Sequence, residues 1–360
     1  MTRLLVVDDS ALVRKLLGQV FAQETDFELA FARDGVEALE RLHSFSPDVI
    51  TLDVHMPELD GLACLDRIMV ERPSPVVMVS SMTAAGAEAT LEALRLGAVD
   101  FIAKPSGAVS LHIEEWGPQV VAKVRAAAGA KLRSSARLAE RVRHRIGGRL
   151  QPQTLATGAP RPAAERAVGA GVVLVGTSTG GPPALEALLT VLPADFPWPI
   201  LVAQHMPSSF TGPLSRRLDG ICALTVTEVR QPTPITPGTV YIGRGDADLV
   251  LSKRASGLVA MAAPSKPDYP WHPSTDRLVR SAMDQLPASQ LVGVLMTGMG
   301  NDGAEAMTLL KAQGGATIAE AESTAVVWGM PGELVRADGA TWVEPLPDIA
   351  GRLRSLVPCH

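Results

Sequence analysis

Aromatic residues are scarce in this chain: Phe, Trp and Tyr make up 4% of its 360 residues. Its cores must therefore be aliphatic. Cysteine is scarcer still, with Cys64, Cys222 and Cys359 far apart, odd in number and without a C-x-x-C pair. That excludes a disulfide framework and a cysteine zinc site, and fits a reduced, cytoplasmic setting. No apolar run reaches the 18 residues that a membrane span needs. The run Leu4–Val7 is too short for a signal-peptide core before it meets Asp8 and Asp9. The expected protein is neither exported nor inserted in a membrane. An excess of basic charge is also missing, since Lys and Arg number 33 against 38 Asp and Glu, for a net charge of −5. A generally nucleic-acid-binding surface would be basic. What remains is a globular composition, 46% hydrophobic and 20% charged, with 32 Gly and 28 Pro to supply tight turns. The length exceeds one ordinary core of roughly 100–200 residues, so two domains are expected.

Residues 3–105 alternate short apolar runs with amphipathic stretches. Leu4–Val7, Val49–Leu52, Val76–Val79 and Val99–Ala103 have the composition of buried strands. Leu12–Phe21, Gly35–Leu42, Leu62–Val70 and Ala87–Leu96 carry apolar residues at helical spacing. Such alternation predicts a parallel sheet with helices on both faces, in an α/β domain spanning 1–124. A second alternating region, 171–358, has strand-like runs at Val172–Val175, Ile200–Ala203, Val240–Ile242 and Leu291–Met296. Its helical stretches are Pro182–Thr190, Ser274–Leu286 and Ala304–Gln313. It predicts another doubly wound α/β domain with a mostly parallel sheet. Between the two, residues 125–170 are rich in Ala, Arg and Pro. Arg133, Arg137, Arg141, Arg145 and Arg149 recur every fourth residue, and Glu140 is the only acid among residues 131–150. Like charges at that spacing weaken a helix, which leaves a basic linker. It either is a solvated spacer or docks on an acidic surface.

In open α/β sheets the chemistry collects at the carboxyl ends of the strands. In the first domain Asp8 and Asp9 follow the first run, Asp53 follows Val49–Leu52, and Lys104 follows Val99–Ala103. Three clustered carboxylates repel one another and need a cation. All-oxygen ligands with water completing the shell suit Mg²⁺. Such a metal neutralises charge as a phosphoryl group passes to one carboxylate. Lys104 adds positive charge, and Ser80 at the end of Val76–Val79 offers a hydroxyl to a phosphoryl oxygen. The segments V-V-D-D-S, T-L-D-V-H-M-P-E-L-D-G, V-S-S and F-I-A-K-P make residues 1–125 resemble response-regulator receiver domains, which have a five-stranded, flavodoxin-like parallel sheet. The resemblance implies that Asp53 is the phosphoacceptor and that Asp8, Asp9, Asp53 and the backbone carbonyl of His55 hold Mg²⁺. It also makes Ser80, Phe101 and Lys104 the switch residues.

In the second domain the run Val172–Val175 enters Gly176-Thr177-Ser178-Thr179-Gly180-Gly181 and then a helical stretch. A dinucleotide fingerprint wants glycine where Ser178 stands, and an acid where the next strand ends in Gln204-His205. Gly176-x-Ser178-x-Gly180 instead fits a nucleophile elbow, whose glycines let a serine project from a sharp turn. The hydroxyl needs a base to take its proton. The bases on offer are His205, His272 and His360, and His205 alone directly follows a strand. The run Leu291–Met296 opens into Thr297-Gly298-Met299-Gly300-Asn301-Asp302-Gly303, where Asp302 can orient the imidazole or merely cap a turn. The chain order Ser–His–Asp differs from that of α/β-hydrolases.

The segments G-T-S-T-G-G, A-Q-H-M-P, P-G-T-V-Y-I, L-M-T-G-M-G-N-D-G and V-W-G-M-P make residues 171–355 resemble the catalytic domain of the CheB chemotaxis methylesterases. That resemblance implies removal of γ-methyl esters from chemoreceptor glutamates, and in many members deamidation of receptor glutamines. It makes Ser178 the nucleophile, His205 the general base and acid, and Asp302 the orienting carboxylate, with backbone amides of Thr179 and Met299 as oxyanion donors. No cofactor is implied for the esterase reaction. Methyl-accepting chemoreceptors would be the substrate, a CheA-type histidine kinase the phosphodonor, and the unphosphorylated receiver would cover the active-site rim. Two departures stand out. His55 replaces the acid of D-x-E-M-P, and Gly243-Arg244-Gly245-Asp246-Ala247-Asp248 replaces A-P-G-x-x-H. Two other functions compete with this reading: a receiver-controlled binding module without catalysis, and a DNA-binding regulator, which would want a basic reading helix that only the arginine series approaches.

Overall fold

The computed structural model describes residues 1–104, 113–130, 171–255 and 257–357. The arginine series 133–149, most of the 125–170 linker, Cys359 and His360 lie outside the described residues. The chain divides into two compact units.

In the first unit the elements are β1 (Thr2–Val7), α1 (Ala11–Phe21), β2 (Phe27–Ala32), α2 (Gly35–Ser44), β3 (Val49–Asp53), α3 (Gly61–Glu71), β4 (Val76–Ser80), α4 (Ala84–Leu96), β5 (Asp100–Ala103) and α5 (Ile113–Ala128). The strands pair in parallel in the order β2-β1-β3-β4-β5. β3 and β4 are buried along their whole length, as unbroken apolar runs between two helical layers must be. The edge strand β2 lacks such a run. Its Glu28 is exposed and Phe31 is 38% exposed, which hid it from the sequence pattern. Ser10, Asp34, Asp60 and Thr83 cap α1 to α4 by accepting backbone N–H bonds, so each βα loop closes tightly above the sheet. α5 continues to Ala128, four residues past position 124. Val120, Val121, Val124 and Ala127 keep its apolar stripe buried through the change in composition.

The second unit runs β6 (Val172–Thr177), α6 (Gly181–Leu189), β7 (Ile200–Gln204), α7 (Ser208–Ile221), β8 (Thr225–Val229), β9 (Thr233–Pro234), β10 (Thr239–Gly243), β11 (Ala247–Arg254), β12 (Gly257–Pro264), α8 (Thr275–Met283), β13 (Leu291–Leu295), α9 (Ala304–Ala312), β14 (Ala316–Glu320), α10 (Met330–Arg336), β15 (Trp342–Glu344) and α11 (Leu346–Leu356). Seven strands form one parallel sheet in the order β15-β14-β13-β6-β7-β10-β8. A separate antiparallel sheet, β11-β12-β9, was not foreseen from the sequence. Leu174, Leu201 and Leu295 are fully buried in the central strands. Burial of each such side chain stabilises by about 1.5–3 kcal/mol. The chain leaves β6 for β7 on one side and later returns as β13 on the other, so the strand order reverses beside β6. A crevice outside the strand ends is expected there. No helix among the described residues is long and apolar enough to cross a membrane.

Candidate active site and phosphoacceptor site

Ser178, His205 and Asp302 come from the carboxyl ends of β6, β7 and β13, three neighbours in the sheet. Ser178 sits in a turn that Gly180 closes with φ +75°, a conformation that side chains resist, and a Cβ there would also meet Val326 at 2.7 Å. Gly298 lets the next loop press against this turn, since a Cβ on it would lie 2.8 Å from Ser178 Cβ. The Ser178 N–H donates to Thr297 O, and the His205 N–H donates to Thr177 O. The three loops are thereby stitched through their backbones. Gln204, almost wholly buried, adds a clamp: its amide nitrogen donates to the carbonyls of Ser178 and His205 at 3.0 and 3.1 Å.

His205 Nε2–H donates to Asp302 Oδ2 at 2.8 Å, with both side chains buried. The other ring nitrogen, Nδ1, is buried and has no hydrogen-bond partner. With Nε2 bearing the proton, Nδ1 holds the lone pair and is the basic atom. Ser178 Oγ is not bonded to it here, as is common before substrate closes a site. The Trp271 ring stacks on His205 with centroids 6.1 Å apart and planes 7° apart, shielding one face from water.

Asp302 accepts from three more donors at the start of α8. Thr275 N–H reaches Oδ2 at 2.6 Å, while Ser274 Oγ and Asp276 N–H reach Oδ1 at 2.9 and 3.1 Å. Burial pushes its carboxyl up, but the bonds from His205, Thr275 and Asp276 outweigh that and hold it below the usual range. Asp276 nearby goes the other way, to about 6, through burial and then the charge of Asp302, against its bond from Ala306 N–H. Thr179 is buried, and its carbonyl accepts from Thr297 Oγ1. The Met299 N–H donates to nothing among the described residues, which leaves it available to an oxyanion. His272 is engaged elsewhere, its Nδ1 lying 2.9 Å from the fully buried Asp248.

In the first unit carboxylate oxygens of Asp8, Asp9 and Asp53 lie within 4.8 Å of one another at the ends of β1 and β3. Lys104 Nζ donates to Asp53 Oδ2 at 2.7 Å and stands 2.9 Å from Asp8 Oδ2. Burial and then the charge of Asp53 raise the Asp8 carboxyl, which Lys104 only partly offsets. For Lys104, burial disfavours the ammonium, but Asp53 and Asp8 together raise it above its ordinary value. One lysine thus faces three carboxylates. Asp8 Oδ2 is buried with the Lys104 ammonium as its charged neighbour, so the clustered carboxylates keep oxygen lone pairs of the kind a hard cation takes. These residues fit Mg²⁺. The exposed His55 donates its N–H to Asp53 Oδ1 at 3.4 Å. Ser80 lies at the end of β4 with its hydroxyl turned to Gly86 O at 3.1 Å. Phe101 is buried, with Lys123 Nζ 5.0 Å above its ring.

Sequence reasoning missed Gln204, Trp271, Ser274 and Asp248 around the second site. Gln204 lies in the A-Q-H-M-P segment and Asp248 in the departing segment 243–248, but neither carried a role there, while Ser274, before Thr275-Asp276 and an amphipathic run, carried the signal of a helix cap.

A family model described as CheB methylesterase matches residues 173–353, and one described as response regulator receiver domain matches residues 4–114. The chain is similar to the protein-glutamate methylesterase/protein-glutamine glutaminase 2 of Rhodopseudomonas palustris (strain BisB18). The two are 58% identical over 353 residues, which cover 97% of this chain and 96% of that protein. It is 51% identical to the protein-glutamate methylesterase/protein-glutamine glutaminase 3 of Rhodospirillum rubrum, over 99% of this chain and 96% of that one. Among solved structures, the Thermotoga maritima CheB methylesterase catalytic domain superposes with a TM-score of 0.50 at 37% identity, covering 52% of this chain and 98% of that one.

Proposed function

This chain belongs to the CheB methylesterase family, and from that premise we propose that it is a receiver-controlled carboxylic ester hydrolase acting on the γ-methyl esters of chemoreceptor glutamates. The observation that carries the reading is the buried His205–Asp302 pair with its unpartnered Nδ1, at the strand end next to the Ser178 elbow. The same domain holds another such pair, His272–Asp248, so it is the place of His205–Asp302 on the strands flanking the Ser178 elbow that favours catalysis over binding alone.

In the proposed reaction Nδ1 of His205 takes the Ser178 hydroxyl proton as Oγ attacks the ester carbonyl. Amides of Thr179 and Met299 stabilise the oxyanion. Asp302 stabilises the imidazolium, which then gives its proton to the leaving methoxide, and methanol departs. Water, deprotonated by the same nitrogen, cleaves the glutamyl ester and restores Ser178. Ammonia would leave in the same way from a receptor glutamine, the second activity in the relatives' names.

The receiver would be phosphorylated on Asp53 by a CheA-type histidine kinase, in the cytoplasm. Mg²⁺ held by Asp8, Asp9, Asp53 and the His55 carbonyl supplies charge neutralisation when bound. Lys104 pairs with the acquired phosphoryl group and Ser80 gives up Gly86 O to bond it, while Phe101 responds. The test is methanol release from methylated receptor. S178A should abolish it in a folded protein, and a small phosphodonor with Mg²⁺ should accelerate the wild type but not D53N. Turnover by folded S178A would sink the serine mechanism, and equal acceleration of D53N would sink the gating.

A further inference from the structure

Asp248 closes the segment Gly243-Arg244-Gly245-Asp246-Ala247-Asp248, for which the reaction itself has no use. It is fully buried at the start of β11, and its side chain bonds to His272, Ser274 and Arg277. Oδ1 accepts from His272 Nδ1–H at 2.9 Å and from the Ser274 N–H at 2.8 Å, and Oδ2 accepts from Arg277. A buried carboxylate with so many donors fixes the segment that holds it, since each donor left unpaired would be expensive.

That segment carries three features of the catalytic site. Trp271 stacks on His205. Ser274 Oγ donates to Asp302, and the N–H groups of Thr275 and Asp276 do the same. Ser274 is the hinge of the arrangement: its N–H goes to Asp248, its hydroxyl hydrogen goes to Asp302, and its hydroxyl lone pair accepts the Arg277 N–H as the cap of α8. The hydroxyl has one hydrogen, and Asp302 offers only acceptors, so its direction is fixed.

We propose that Asp248, acting through Ser274, is a positioning residue for Asp302, so that β11 supports the catalytic carboxylate from outside the main sheet. The inference rests on the Ser–His–Asp reading above. Asp248 and Ser274 touch no reacting atom. They set the direction and charge distribution of Asp302, and through it the orientation of His205. Their loss therefore lowers kcat and leaves KM nearly unchanged. The charged and titratable groups around this pair are Asp276 and Arg277 from α8, His272 from the preceding loop, Asp248 from β11 and Glu320 from β14, the last through its bond to Thr297 N–H.

The experiment compares the full-length wild type with S274A and D248N by methanol release from methylated receptor across pH. It also follows the Nε2-bound proton of His205 by NMR, assigned by its loss in H205Q. Wild-type turnover tests the esterase reading by itself; if it is absent, that reading fails, and the NMR arm still decides the present proposal. The expected result is a roughly 10- to 100-fold fall in kcat with KM within about twofold, as for a misplaced catalytic group. The Nε2 proton should shift or exchange faster in both variants. S274A removes a single oxygen, so it decides the matter if D248N does not fold. An unmoved Nε2 resonance in folded S274A, or a fall confined to KM, would overturn the proposal.

Discussion

Replacing Asp302 by Asn tests the electrostatic role of the carboxylate with almost no change in shape. Asp302 accepts bonds at both oxygens: Oδ2 from His205 Nε2–H and Thr275 N–H, Oδ1 from Ser274 Oγ and Asp276 N–H. An amide offers one oxygen and one NH₂ group, so either orientation confronts backbone N–H with N–H. With the NH₂ at Oδ1, Ser274 can turn to accept, but the Asp276 N–H loses its partner. With the NH₂ at Oδ2, the Thr275 N–H loses its partner and His205 must accept at Nε2, which moves its proton to Nδ1 and disables the base. The first arrangement is the less damaging. It leaves one buried donor unsatisfied, at about 1–3 kcal/mol, or roughly 2–12 °C in the melting temperature of a unit this size. The imidazolium loses its counter-charge in both arrangements. A fall in kcat of roughly 10²–10⁴ follows, the upper value being that of the corresponding serine-protease substitution.

The assay is methanol release at saturating receptor, together with a thermal melt. The melt should also lose an acid-side feature. In the wild type the Asp302 carboxyl lies below its unfolded value, so its contribution is fully present above the unfolded range near 4 and disappears as pH falls through the folded value. Asn has nothing to titrate. A D302N protein with kcat within about threefold of wild type would refute the reasoning, because no orientation of the amide keeps the charge.

Three further outcomes follow from the same geometry. Incubated with a small phosphodonor and Mg²⁺, the wild type should gain one acid-stable, base-labile acyl phosphate; peptide mapping should find it on Asp53, and D53N or removal of the metal by chelation should prevent it. Asp276 is raised from 3.8 to about 6 by burial and by Asp302. The fold thus binds its proton more tightly than the unfolded chain does, and stability from this group is lost as pH rises from about 4 to about 6. D276N should flatten denaturant-measured stability across that window, and an unchanged slope would contradict the assignment. Gln204→Leu removes the amide that donates to both Ser178 and His205 carbonyls. It should destabilise by about 1–3 kcal/mol and lower kcat, so a variant as active and as stable as wild type would show that the clamp is idle.

How much of this fold was legible follows from where each strand lies. Interior strands of a parallel sheet bury both faces, so β1, β3, β4, β6, β7 and β13 stand out as apolar runs. The edge strand β5 keeps the signal through Phe101 and Ile102, the interior β14 hides it in Ala-Thr-Ile-Ala-Glu, and other strands lose it to exposed polar residues or short length. β2 carries Glu28, β8 reads Thr-Val-Thr-Glu-Val, and β15 is three residues long with an exposed Val343. The β11-β12 hairpin ends in Lys253 and Arg254, charges that its exposed tip tolerates and that mask its buried Leu249 and Leu251. The helix α5 passed position 124 for a related reason: four buried aliphatics hold it to the sheet, whatever the overall composition around them.

The site divides along the same line. Ser178, His205 and Asp302 could be found because each lies in the loop that an apolar run opens into, and Asp8, Asp53 and Lys104 because each directly follows such a run; a parallel sheet brings these positions to one edge. Strand order alone put the first three on adjacent strands. What supports them arrives by another route. Asp248 opens a hairpin of the second sheet, Trp271 and Ser274 lie in an irregular segment, and 24 residues separate Asp248 from His272. No period in the sequence relates these positions. They meet because α8 returns across the main sheet and aims its first turn at Asp302. His272 illustrates the limit. By composition it was as good a base as His205, and each pairs with a buried carboxylate. The difference is that Asp248 belongs to β11 of the second sheet, whereas Asp302 follows β13, next to the strand β6 that Ser178 follows. Reacting groups obey the topology, whereas the groups that hold them obey packing. That is why the reacting groups can be sought at strand ends in the sequence, whereas partners such as Asp248 and Ser274 come into view only once the segments are packed.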